Sequence, residues 1–380
     1  MSFKVLCIGV GMGGSRMCDI LSKRLTTVSE KNEPFYINIS SDELNIFNST
    51  SEKNKIRIGN IDGAGKNREV ALAAFGSDFD YSNFIETVKQ RVIDDNIDII
   101  TISFSTSGGT GSGIAPVLVR MISEVVENRK LVDRDIYVMG IALLPSFNEG
   151  ISAFRNTLLT INDINKGINK GNRYFLVKND GKEGSNFTEK CEAVNASAAA
   201  LITKYFKGTY QISTLGVLDM NDRMMGLAIP GLHALSKLED CSVSGSPFVV
   251  PGSNVCKVML CEIPEENSDM YENEVSETTS LDYKYGYTTG DTGIVAYHGF
   301  RNIEKETIKY RKRFDDLKEL DVTGNVNTGT NSLESLKSEV YNYSIKKDNT
   351  GKDSSDVTEP KVKKTGLGDL LNEFSDIDNI

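Results

Sequence analysis

Across the first half of the chain, short apolar runs alternate with longer segments whose apolar positions recur every three to four residues. The runs predict strands at Phe3–Gly9, Phe35–Ile39, Lys55–Ile58, Ile97–Ser103, Ile136–Ala142 and Arg173–Val177. The spaced segments predict helices such as Phe84–Ile93 and Ala115–Glu127. This alternation points to an α/β layer, a parallel sheet covered on both faces, with ligand loops at the carboxyl ends of the strands. The Ala-rich stretch from Asn195 to Gly208 predicts one long central helix continuing to about Gly216. Beyond Pro230 the pattern changes. Strand-like VCKVMLCEI and TGIVAYHGF flank Pro264–Tyr283, whose seven acids without Lys or Arg read as a solvated loop. Helix-like IEKETIKYRKRFDDLKEL follows, then a Gly/Asn/Thr break, a second helix candidate, SLESLKSEVYNYSIKK, and a polar tail.

Composition narrows the function classes. The chain has 380 residues and a formal net charge of −10, so nucleic-acid backbones and anionic membranes repel it. No apolar run approaches the roughly 20 residues that span a bilayer, and MSFKVLCIGV opens as a strand, so a cytoplasmic protein is expected. The six cysteines form no CxxC pair and there are only two histidines; reduced core cysteines and no protein-built metal site are expected.

The chemistry lies in two glycine loops. After the first strand, Gly9, Gly11 and Gly14 form G-x-G-x-x-G at the start of a helix, where backbone amides and a helix N-terminus can receive phosphate. Alone, this is equally a bare strand-to-helix turn or a dinucleotide site. After the strand ending near Phe104 comes Ser105-Thr106-Ser107-Gly108-Gly109-Thr110-Gly111-Ser112-Gly113, with a helix expected to start near Ala115-Pro116. It lacks the G-K-[ST] ending of a P-loop. Two phosphate-type loops at neighbouring strand ends suit a triphosphate.

SGGTGSG resembles the signature loop of the tubulin/FtsZ superfamily of GTPases, and other segments agree in order. GVGMGGSR (Gly11, Met12, Gly13, Gly14, Ser15, Arg16) is similar to its first phosphate loop, with Met12 and Arg16 replacing the usual Gly and Asn. Asp42 falls in the second nucleotide loop, and Gly63, Ala64, Gly65 and Lys66 in the loop that senses the γ-phosphate. Gly108, Gly109, Thr110, Gly111 and Ser112 form the signature itself. Glu149 matches the ribose loop, although Ala153 stands where an Arg is expected. Asn179 and Asn195 match the two guanine contacts, with Asn195 opening the long helix. The resemblance implies GTP or GDP with Mg2+ on the phosphates. It implies a Rossmann-like parallel-sheet GTPase domain (1–194), a long central helix (195–218) and a smaller α/β activation domain (219–310). C-terminal helices (311–345) and a flexible tail (346–380) would follow. Lys66 either reaches the γ-phosphate or faces solvent.

Asp219 and Asp222 are expected at the far end of the long helix, about 30 Å from Asn195 for some twenty residues at ~1.5 Å each. That is too far to serve their own nucleotide. Either they cap a helix, or, as the resemblance implies, they are catalytic on the nucleotide of the next subunit in a head-to-tail filament. Val217 replaces the Asn usual in FtsZ, and the surrounding sequence is more similar to the TubZ-type tubulins of plasmids and phages. That likeness implies DNA partition through a DNA-binding adaptor, with no direct nucleic-acid or membrane binding. FtsZ-like cell division and phage positioning are the alternatives within the superfamily. In the tail, Leu367, Leu370, Leu371 and Phe374 share one helical stripe suited to a partner groove. Outside the superfamily, the rivals are an NAD-dependent Rossmann oxidoreductase and a nucleotide-free scaffold.

Overall fold

A computed structural model describes residues 3–25, 33–128, 131–180, 184–208, 216–238, 246–249, 256–265, 280–288, 293–301 and 303–324. All six expected strands form: β1 (Val5–Val10), β2 (Phe35–Asn38), β3 (Lys55–Arg57), β4 (Ile99–Ser105), β5 (Tyr137–Leu143) and β6 (Arg173–Val177). They pair in parallel in the order β3-β2-β1-β4-β5-β6. β1 and β6 are buried at every residue, because helices cover both faces.

β7 (Gly231–Leu238) adds in parallel to β6. The sheet continues through β10 (Gly293–Phe300), β8 (Cys256–Pro264) and β9 (Ser280–Thr288), with β10 antiparallel to both β7 and β8. The strands expected within 219–310 therefore extend the first sheet. Of the acidic stretch expected as a loop, Pro264 ends β8 and 280–283 open β9; 266–279 lie outside the described residues, as do 325–380 with the second C-terminal helix candidate and the tail.

The helices are α1 (Gly11–Leu25), α2 (Ser41–Asn45), α3 (Arg68–Asp78), α4 (Tyr81–Asp94), α5 (Thr110–Ser123), α6 (Ile151–Ile168), α7 (Phe187–Lys207), α8 (Met220–Ala228) and α9 (Glu304–Gly324). Two differ from expectation. α5 begins at Thr110, not near Ala115, so Thr110 to Gly113 form its first turn and Pro116 lies inside it. The long helix begins after the cap Asn186, and Asn195 lies in its middle instead of opening it. It ends at Lys207 with Gly208 at φ 67°, where the absent side chain permits the left-handed turn. Residues 209–215 lie outside the described set.

Chain direction gives the sheet two unlike ends. The loops after β1 to β6 gather at the carboxyl end, and α7 returns to the amino end. There, Phe3 N donates to Phe206 O at 3.2 Å and Lys207 Nζ to Arg24 O at 2.8 Å.

Both histidines meet in the core between β7 and β10, with His233 Nδ1 and His298 Nδ1 2.8 Å apart. Burial pushes His298 down to about 3, and burial followed by its partner's proximity pushes His233 well below its ordinary value. An unfolded histidine protonates near pH ~6.5, so below that the unfolded state binds protons that the native pair refuses. Stability is therefore unaffected above that pH and lost as pH falls toward 3. For His298 alone the loss reaches about 2 kcal/mol at pH 5. Urea midpoints should drop between pH 6.5 and 5, and replacing both histidines with Gln should flatten that drop; equal slopes would contradict the assignment.

Candidate functional site

The two glycine loops interlock. A Cβ on Gly11 would lie 3.0 Å from Gly111 N, and one on Gly111 would lie 3.0 Å from Val10 O. Gly11 also has φ +69°, so both space and conformation exclude a side chain there. Gly14 has its α-carbon against Ser103 O and Phe104. These contacts seat the first turn of α1 on the end of β4. The 63–66 loop joins on the other side, where a Cβ on Gly109 would lie 2.8 Å from Ala64 Cβ and 3.0 Å from Asn67 N. Gly63, Gly65 and Gly108 face open space. Lys66 is one of two non-glycine residues with positive φ among those described (φ 60°), a strained conformation of the kind held at ligand loops.

The glycine loops bring two helix N-termini together in an acidic chain. α2, α3 and α7 carry acids in their first turns, whereas α1 and α5, like α4 and α6, carry none. The partial positive charge of the α1 and α5 N-termini is left uncompensated where the glycine loops meet. The two expected cations have acidic neighbours: Arg16 lies 3.6 Å from Glu192 and Lys66 3.7 Å from Glu149. Glu149 Oε1 also accepts from Ser146 N at 3.2 Å and Ser107 Oγ at 3.4 Å, which ties the ribose-loop candidate to the signature loop.

Ser15, Asn179 and Asn195 each bury a side-chain oxygen that has no hydrogen-bond partner. An orphaned buried oxygen costs about 1–3 kcal/mol, so three among the expected nucleotide residues fit a ligand that supplies donors. Asn195 lies one turn beyond Glu192 on α7, on the face that meets Arg16. Asn179 follows β6, and Ser15 lies in α1. Met12 is partly buried and packs its side chain against the core. Asp42 is exposed in the first turn of α2 at the same end of the sheet.

Sequence reasoning missed the residues that hold these loops together. Asn156 Nδ2 lies 2.8 Å from Lys66 O, 3.2 Å from Gly108 O and 3.3 Å from Ser107 O, spanning two loops from beneath. Arg68 and Asp163 form a buried ion pair at 2.5 Å. Asn156, Thr160 and Asp163 are buried polar residues at i, i+4, i+7 in α6, and that polar stripe was the signal available in the sequence. The ribose loop is held by Phe147, which stacks on Tyr310 of α9 with ring centroids 5.4 Å apart.

Asp219 and Asp222 are not with the other candidates. Arg223 Nη1 donates to Tyr205 O at 3.2 Å, near the end of α7, and Arg173 Nη2 at the start of β6 donates to Ala228 O at 2.9 Å. Both contacts place α8 at the amino end of the sheet. Asn195 lies within α7 and not at its start, so the helix carries the chain only twelve residues, about 18 Å, from Asn195 to Lys207, while the acids stand at the opposite end of the sheet from the glycine loops. The two acids form a capping box, with Asp222 N donating to Asp219 Oδ1 at 2.9 Å and Asp219 N to Asp222 Oδ2 at 3.1 Å. Asp222 is buried and paired with Lys284; Asp219 is exposed.

Residues 4–181 match the sequence model described as Tubulin/FtsZ family, GTPase domain. The tubulin-like protein CetZ of Methanothrix thermoacetophila is 26% identical over 172 residues, 42% of this chain and 44% of its own. The tubulin-like protein TubZ of Clostridium botulinum C phage is 24% identical over 268 residues, 68% of this chain and 69% of its own. The chain thus spans less than half the length of that CetZ and about two thirds of that TubZ. The crystal structure of Clostridium botulinum phage c-st TubZ shares the fold with a TM-score of 0.66 at 18% identity, covering 84% of this chain and 100% of that one. A GTPγS-form protofilament of Bacillus thuringiensis serovar israelensis TubZ gives 0.67 at 12% identity, covering 86% and 94%.

The buried pair beneath the loops gives a direct test. Burial pushes the Asp163 carboxyl up while Arg68 draws it down, so Asp163→Asn leaves a buried guanidinium without its counter-charge. The variant should lose about 3–5 kcal/mol in urea unfolding, and a loss under 1 kcal/mol would show that water reaches Arg68.

Proposed function

We propose that this chain, whose residues 4–181 carry a Tubulin/FtsZ-family GTPase domain, binds GTP, hydrolyses it to GDP and phosphate, and polymerises head to tail. Hydrolysis is completed by the acidic loop of the next subunit. The observation that carries this reading is the exposed Asp219 at the amino end of the sheet, opposite the glycine loops. Within one subunit the acid cannot meet the nucleotide; in a head-to-tail stack the two ends face each other.

The substrate is the magnesium complex of GTP; among the described residues no cluster of His, Cys, Asp or Glu is arranged to hold a metal ion. The amides opening α1 and α5 bind the phosphates, and the space at Gly108 and Gly63 admits them. Glu149 receives the ribose, and Asn179 and Asn195 read the guanine. Asp219 accepts a hydrogen bond from the attacking water and orients it without acting as a strong base. Asp222, occupied by Lys284 and by Asp219 N, holds that geometry.

Exposed apolar side chains support the stacking. Ile46 follows α2, Ile61 follows β3 and Phe187 opens α7 at the carboxyl end, while Val217 and Met225 flank the acids at the amino end; Ile93, Ile308 and Leu320 are also exposed. Unlike surfaces at opposite ends make a heterologous contact that propagates instead of closing. The cellular role we assign is cytoplasmic partition of plasmid or phage DNA. Its support is the match to the phage TubZ, which runs over 68% of this chain, against 42% for CetZ. A net charge of −10 requires a basic DNA-binding adaptor between the filament and DNA.

GTP turnover per subunit should rise steeply above a threshold protein concentration; constant specific activity at all concentrations would exclude an active site completed by assembly. Asp219→Asn separates catalysis from capping, since Asn caps a helix as well as Asp does. It should bind GTP, keep its melting temperature and form longer filaments, with turnover reduced at least about 100-fold; unchanged turnover would assign Asp219 to capping alone. Phe187→Asp or Met225→Asp should raise the threshold without altering GTP affinity, as measured by sedimentation and nucleotide titration.

A further inference from the structure

A chain of buried polar groups runs through the base of the molecule and ends on the backbone of α8. Tyr205 Oη lies 3.2 Å from Arg223 O, a carbonyl that can only accept, so the phenol donates there. With that direction, its remaining contact, His298 Nε2 at 2.9 Å, donates to it. His298, kept neutral by burial, presents a bare Nδ1, which receives the Nδ1–H of His233 at 2.8 Å. One consistent direction runs from His233 to His298, from His298 to Tyr205 and from Tyr205 to Arg223 O. Arg223 N in turn closes the helical turn onto Asp219 O at 3.3 Å.

The return contacts are equally specific. Arg223 Nη1 donates to Tyr205 O at 3.2 Å, Nη2 to Glu262 at 3.2 Å, and the guanidinium lies 5.3 Å from the Tyr205 ring centroid. Gly226 rests directly on His298: a Cβ there would come within 2.6 Å of Nε2 and 2.7 Å of Cδ2. Tyr287 N donates to Gly216 O at 2.9 Å, which holds the segment before the acids against β9.

We propose that Tyr205, His298 and Gly226 are positioning residues for hydrolysis, forming the seat that fixes α8 so that Asp219 meets the nucleotide of the neighbouring subunit in a productive orientation. This rests on the reading of Asp219 given above. Because Tyr205 lies on α7, the helix that also carries Asn195, the seat is built on the element that borders the subunit's own nucleotide site.

The test is Tyr205→Phe, which removes one hydroxyl and keeps the ring under Arg223, with Gly226→Ala as a second variant that lifts α8 from His298. Both are assayed for GTP turnover above the assembly threshold in full-length protein, with polymer quantified by sedimentation. A displacement of about 1 Å costs on the order of 10- to 100-fold in rate. That loss is expected in kcat, with KM for GTP and pelleted polymer unchanged. In the Asp219→Asn background, adding Tyr205→Phe should cause no further loss, because one acts through the other. Turnover within twofold of the unmodified protein in Tyr205→Phe would overturn the proposal. So would losses that multiply in the double variant, or a rate deficit matched by lost polymer. If Gly226→Ala fails to fold, Tyr205→Phe decides alone. Full turnover in Asp219→Asn would remove the underlying reading, whereas an inactive Asp219→Asn beside a normal Tyr205→Phe removes only this one.

Discussion

A helix that follows a parallel strand has to run back to the amino end before the next parallel strand can begin. In this chain that constraint governs the placement of every candidate residue. Six parallel strands deliver their loops to one end of the sheet, and α7, 21 residues or about 32 Å long, carries the chain back to the other. Glycine loops and acidic capping box are thereby kept at opposite ends of a subunit. That polarity is what the head-to-tail arrangement proposed above requires.

The loops themselves depend on missing side chains. Gly11, Gly14, Gly109 and Gly111 bring three backbone segments so close that a methyl group on any of them would strike main chain or a neighbouring Cβ. The same packing points helix N-termini with no acid in their first turns at a common space. An acidic protein can thus accept a highly charged anion with few cations, because amides supply the field and carry no counter-charge to be neutralised. Below the loops, Asn156 and the Arg68–Asp163 pair fix their spacing. On the far side the His233–His298–Tyr205 chain does the corresponding work for α8. Both ends of the proposed junction therefore rest on buried polar groups.

Much of the site was legible because its signals are local. Glycines after an apolar run mark close backbone approach wherever they occur, and the six strands showed as short apolar runs within two residues of their observed limits. Helix starts were less legible. α5 begins among glycines of poor helical propensity because Gly111 and Gly113 pack against main chain that no propensity describes. α7 begins at the Asn186 cap, whose side chain accepts from Glu189 N at 3.0 Å, while the Ala-rich stretch beyond it drew the expected start to Asn195. Asn156 stayed hidden because its three acceptors lie on two loops far away in sequence.

By itself the sequence determined the alternation of strand and helix, the glycine loops after the first and fourth strands, and the D-x-x-D pair, since each depends on residue type at short spacing. Only the tertiary structure decided that strands β7 to β10 extend the same sheet, that Asp222 is buried against Lys284 while Asp219 is exposed, and that the two histidines form one chain with Tyr205. These are contacts between residues tens to hundreds of positions apart. They arise from the register of strands and the return path of helices, which no local pattern encodes.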